Sequence, residues 1–175
     1  MNAMEPIRDV HKINEMRDAL KGERNKVLFT LGINTGLRIS DLIKLKASDI
    51  QPEMRLVEQK TGKTKIFRLS ASVYTMVKAY ADKCSNWLFP SRKGDGHITA
   101  CQYWRVMSEA AKKVGLEHIG THSMRKTFGY HAYKNGVPLS DLMYALNHSS
   151  EAITLRYIGI TQETINDTLY SQMAL

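Results

Sequence analysis

Only one stretch of this chain departs from a helical rhythm. Between residues 55 and 69 the apolar positions stop recurring every three or four residues, and the segments RLVEQ and KIFRL bring β-branched and aromatic side chains to either side of Lys60-Thr61-Gly62-Lys63. Two short runs of this kind around a glycine-containing turn predict a β-hairpin, with a basic tip. Around it the spacing is helical. Residues 6–19 predict a short helix after an entry loop. Residues 26–34 predict a buried helix through Val27, Leu28 and Leu31, broken at Thr35-Gly36, and residues 39–45 start a new stripe through Leu42, Ile43 and Leu45. Ser70 or Ser72 caps a helix running to residue 83. Trp87-Leu88-Phe89-Pro90 reads as a buried anchor before a polar loop, and Thr99 with Gln102 is a capping-box pair opening a helix to about residue 114. Further helices are predicted at 123–135, closed by Gly136, at 139–146, after a cap at Ser149 or Ser150, and at 162–173. The expected fold is mainly α with a small antiparallel β-sheet, an α+β arrangement.

No repeat, low-complexity tract or linker divides the sequence, so residues 1–175 are expected to form one domain. Met1–Ala3, with a second methionine close behind the first, has the look of a cloning scar. No run of 18 apolar residues and no signal-peptide core is present, which predicts a cytoplasmic chain that makes no use of a membrane. Cys84 and Cys101 fit neither a disulfide framework nor a zinc spacing. The excess of 25 Lys+Arg over 17 Asp+Glu, a formal charge of +8, favours a polyanionic partner.

The chemistry gathers late in the chain. His122 and Arg125 stand three apart in THSMRKTFGYH, one helical turn on one face. Such a pair alone is a solvated helix surface. His148 in LNHSS follows Arg125 by 23 residues, and Tyr157 in LRYIGI follows nine later. Arg38 ends TGLR at a turn between two helical runs, where a long side chain can be aimed into a cleft. Guanidinium groups suit a phosphodiester under attack. They stay charged, and they donate paired hydrogen bonds to the non-bridging oxygens, where negative charge accumulates.

Taken together, TGLR, HSMR, GVPL ahead of an apolar helix, LNHSS and RYIGI resemble the catalytic domain of the tyrosine recombinase (phage integrase) family. The resemblance covers about residues 14–157. It implies that Arg38 and Arg125 clamp the phosphate of double-stranded DNA while Tyr157 attacks it. A 3′-phosphotyrosine would form and a 5′-hydroxyl be freed, with no metal or other cofactor. It implies His122 as general base or phosphate donor, with His148 as a second donor. A hairpin lysine would protonate the departing oxygen, and the K-T-G word favours Lys60, leaving Lys63 and Lys65 as solvated tip residues. The flanking cations are expected to favour the phenolate. Where the family usually has glycine before the second histidine, this chain has Asn147. Asp41 reads either as a brace for Arg38 or as a surface acid, Trp104 as core, and Tyr130, Tyr144 and Tyr170 as packed structural tyrosines. The resemblance further implies a tetramer on paired sites that exchanges the C-terminal helix. The usual N-terminal DNA-binding domain is absent from this chain, so DNA binding is expected to be weak and strongly salt-dependent. Alternative readings are a non-catalytic DNA-binding regulator of the same fold, a type IB topoisomerase-like activity, or a metal-dependent nuclease. The last would need clustered carboxylates, whereas the acids are dispersed.

Overall fold

The computed structural model describes residues 4–161 together with residues 166 and 170. An extended strap at residues 4–9 leads into helix α1 (Val10–Ala19), α2 (Glu23–Thr35) and the single turn α3 (Ile39–Leu42). A 3-10 turn (Ala47–Asp49) precedes strands β1 (Glu53–Val57) and β2 (Thr64–Arg68). The remaining elements are α4 (Ala71–Ala81), α5 (Ala100–Lys113), α6 (Thr121–Lys134), α7 (Leu139–Leu146) and α8 (Glu151–Ile158). The two strands pair antiparallel, Glu53 opposite Arg68 and Val57 opposite Thr64. The predicted mainly helical fold with one small sheet is the fold observed. The predicted helix at 162–173 lies outside the described residues, save positions 166 and 170. No helix among the described residues is long and apolar enough to cross a membrane.

Local signals fixed most element ends. Ser70 accepts from the Val73 amide, Ser150 from the Ile153 amide, and Thr99 and Gln102 cap α5 reciprocally. Helix α6 begins two residues before the predicted Ser123. The Ser123 hydroxyl reaches back to accept from the Gly120 amide and so stabilises the extra half-turn. Helix α3 is shorter than the apolar stripe to Leu45 suggests. Leu45 turns instead to accept a backbone hydrogen bond from Leu88, which docks the Trp87–Pro90 anchor.

Helix α2 is the axis of the fold and packs against both α4 and α6. Its side chains Val27, Leu28, Phe29 and Leu31 are buried in the main core, with Met16, Leu42, Leu88, Phe89 and Tyr103. The contact with α6 is close because two glycines face it. A Cβ at Gly32 would lie 2.6 Å from Met124 Sδ, and one at Gly36 would collide with the Phe128 ring. Gly36 also caps α2 in the left-handed conformation. The GINTG word is therefore more than a helix breaker. It lets α6 approach until Arg125 reaches the turn that carries Arg38.

Two expectations outside the site fail. Trp104 is 44% exposed and covers Gly120 at the surface rather than filling the core. Tyr144 and Tyr170 are 79% and 70% exposed, so neither is packed by its ring.

Candidate active site

Arg125 is the fixed point of the site. It is buried on α6, where one Nη donates to the Gly36 carbonyl and the other to the Leu146 carbonyl at 2.8 Å. Both acceptors are helix C-terminal carbonyls without an intrahelical partner. The guanidinium thus ties the ends of α2 and α7 together. Burial lowers its pKa, opposed chiefly by the nearby Tyr157 phenol.

Arg38 caps α3 in an extended conformation, and its side chain turns toward the hairpin. Its Nη1 lies 3.0 Å from Glu58 Oε2, yet this buried nitrogen makes no hydrogen bond of acceptable angle. Donors on a buried guanidinium call for an acceptor. Asp41 does not supply one. It is 1% exposed, contrary to a surface acid, and its Oδ1 accepts from the Gln59 amide, holding the hairpin rather than Arg38.

His122 sits in the first turn of α6, where the helix dipole disfavours an imidazolium. It keeps an accessible edge, but partial loss of hydration, then Arg125, Lys126, Arg38 and Lys60, lowers its pKa. His148 follows the left-handed Asn147 and donates to or accepts from Thr154 Oγ1 at 3.1 Å. The Thr154 hydroxyl spends its proton on the Ser150 carbonyl, so its oxygen accepts from His148 Nδ1–H. That tautomer leaves Nε2 as the basic nitrogen. Loss of hydration, then Arg125 and Arg38, lowers the His148 pKa as well, so both histidines are neutral near pH 7.

Tyr157 lies on α8 with its ring edge-on to His148, centroids 4.8 Å apart, and with the Lys126 ammonium 5.2 Å from its ring centre. The expectation that cations favour its phenolate is corrected. Burial raises the phenol pKa by more than Arg125 and Arg38 lower it, so the hydroxyl stays protonated until a base acts.

The five residues Arg38, His122, Arg125, His148 and Tyr157 are thereby brought into one electrostatic neighbourhood. Lys60 is exposed on the hairpin turn, close enough for its charge to depress His122. Lys65, contrary to the expectation of a solvated tip residue, is largely buried. Its Nζ lies 2.9 Å from Glu58 Oε1 and donates to the Ala145 carbonyl. Glu58 itself was missed. It is wholly buried and receives hydrogen bonds from Thr61 at 2.7 Å and Asn147 at 2.6 Å. Burial alone would raise its pKa; Thr61, Lys65 and Arg38 overcome this and hold it at about 2. The sequence signal was an acid placed one residue beyond the alternating strand pattern, next to the basic turn. Among the described residues no cluster of acids, histidines or cysteines could hold a metal ion.

Comparisons with known proteins agree with this geometry. The model of the phage integrase family matches residues 8–164. The probable integrase/recombinase YoeC of Bacillus subtilis (strain 168) is 41% identical over 170 residues, covering 94% of each chain. Among solved structures, the XerA recombinase superposes with a TM-score of 0.80 at 19% identity, covering all of this chain and 66% of that one. The XerH site-specific recombinase, bound to a palindromic difH substrate in a post-cleavage complex, gives 0.78 at 18% identity, covering 97% of this chain and 52% of that one. The chain thus spans nearly the whole of one relative and from half to two thirds of these longer recombinases.

Proposed function

Since this chain belongs to the phage integrase family, we propose that it breaks and rejoins double-stranded DNA by transesterification through Tyr157. The Tyr157 oxygen bonds to phosphorus as the bond to the 5′-oxygen breaks, leaving the DNA 3′-phosphate on the phenol. The bond energy is conserved in that ester, and a 5′-hydroxyl from a partner strand reverses the step. The observation that carries this reading is the convergence of the buried Arg125 and of Arg38 on the Tyr157 phenol, whose pKa both guanidinium groups pull down against burial. Two fixed guanidinium groups next to a phenol suit a phosphate oxyanion, and each preorganised donor contributes about 3 kcal/mol or more in such sites.

The remaining roles follow the tautomers and charges. His122 or the free Nε2 of His148 accepts the phenol proton, which the raised phenol pKa requires. Lys60, on the exposed hairpin turn, gives a proton to the leaving oxygen. Tyr157 acts in the site of its own chain. Assembly as a tetramer on paired sites, with exchange of the segment after residue 161, belongs to the same reading, as does binding to a DNA duplex like that held by XerH. A non-catalytic regulator would have no use for a phenol docked against the arginine.

Incubation with a nicked suicide duplex in EDTA, followed by a denaturing gel, tests the proposal. A covalent protein–DNA band is expected, absent in Tyr157→Phe. Its absence from the wild-type chain bound to its own duplex would favour the regulator. Relaxation of supercoiled plasmid without strand exchange would favour a topoisomerase.

A further inference from the structure

A carboxylate has no obvious place beside a phosphate. Glu58 nevertheless stands wholly buried between Arg38 and Lys65, within a site that must accept an anion. Its negative charge weakens the local positive potential, so its retention needs a structural return. Its partners supply one. Oε2 accepts from Thr61 on its own turn and from the Asn147 amide on the turn before His148, while facing Arg38 Nη1. Oε1 faces Lys65.

The same turn is held at three successive residues. Lys65 binds the Ala145 carbonyl, Arg125 the Leu146 carbonyl, and Glu58 the Asn147 side chain. Asn147 adopts φ 51°, a conformation that glycine reaches more easily. The backbone therefore argues against a side chain at this position, and among the described residues that side chain hydrogen-bonds Glu58 alone.

We infer that Glu58 and Asn147 form a paired positioning device: the Asn147 amide fixes the Glu58 carboxylate, which orients Arg38 for the phosphate and locks the Lys60 hairpin to the histidine turn. Asn147 and Glu58 touch no reacting atom. The inference rests on the proposed strand-transfer reading only for its kinetic consequence.

Asn147→Gly isolates the device, because glycine relaxes the turn and deletes only the amide. Single-turnover adduct formation on the nicked suicide duplex is compared in wild type, Asn147→Gly, Glu58→Gln and the double variant. Asn147→Gly is expected to slow adduct formation about tenfold, the worth of one charge-assisted hydrogen bond. Duplex Kd and thermal midpoint should be unchanged or improved. The double variant should be no slower than Glu58→Gln alone. Asn147→Asp, which sets two carboxylates together, should be slower than Asn147→Gly. A wild-type rate in Asn147→Gly, or losses that multiply in the double variant, overturns the device. Amide hydrogen exchange of residues 59–62 reads the same lock without DNA. Exchange faster by about tenfold in Asn147→Gly supports it, and unchanged protection overturns it even where the wild-type chain forms no adduct, the outcome that would count against strand transfer itself.

Discussion

Arg38 and Arg125 directly follow Leu37 and Met124 of the large hydrophobic cluster that runs from Ile7 to Met124, whereas Tyr157 packs against a second cluster of Leu146, Ile158 and Ile160. The first is built from six helices and the hairpin; Arg125 is held by the carbonyls of Gly36 and Leu146, so it bridges the two clusters, and Arg38 is held by the buried acid Glu58. The second is a patch ringed by Phe128, Tyr130, Tyr133 and Leu155. Short elements on small clusters open at lower free energy than core helices. The contrast suits the chemistry: a phosphate clamp gains from rigidity, while a nucleophile that carries DNA and then releases it gains from a seat that can loosen.

The largest test of that contrast falls on the rigid side. Arg125→Lys replaces a planar fork by a single ammonium that cannot span the Gly36 and Leu146 carbonyls and still reach the phenol. Single-turnover adduct formation should fall by about a hundred- to a thousandfold. A loss below tenfold would mean that the site is not built around this residue.

Acidification probes the same side next. The folded-state pKa of Glu58 is depressed to about 2, so its stabilisation is complete above the ordinary carboxylate range and vanishes as pH falls through that range toward 2. Its full size is on the order of 3 kcal/mol. Unfolding free energies of wild type and Glu58→Gln should differ most at pH 6 and converge toward pH 2.5; a constant gap would place the acid outside the charge network.

How much of this was legible beforehand depended on whether the signal was local. Hairpin, caps and the Arg–His–Tyr words are local, and the fold brings the residues they name into one electrostatic neighbourhood. The buried state of Asp41 and Glu58 was not legible, because acids enter a core only when distant partners satisfy them. Those partners are the Gln59 amide for Asp41 and the Asn147 amide for Glu58. Lys65 misled for the same reason: strand alternation cannot show that α7 covers that face and offers the Ala145 carbonyl. The phenol pKa misled because flanking charges are visible in a sequence and burial is not.

A matched pair of substitutions separates the two clusters directly. Ile158→Val and Ile50→Val each delete one buried methylene, worth about 1 kcal/mol. Hydrogen exchange should quicken in residues 151–158 alone for the first and across the core helices for the second. Equal spread in both would merge the clusters into one unit. The smallest effect is expected at the tautomer lock. Thr154→Val, which removes the acceptor for His148 Nδ1–H, should slow adduct formation a few-fold, with Thr154→Ser near wild type. Identical rates for valine and serine would free His148 from that constraint.

The most direct measurement is the position of the covalent bond. The adduct formed in EDTA, digested with nuclease and trypsin and sequenced by mass spectrometry, should carry its nucleotide on Tyr157, in the peptide that begins after Arg156. A nucleotide on Tyr130, Tyr133 or Tyr144, or on a serine, would contradict the account.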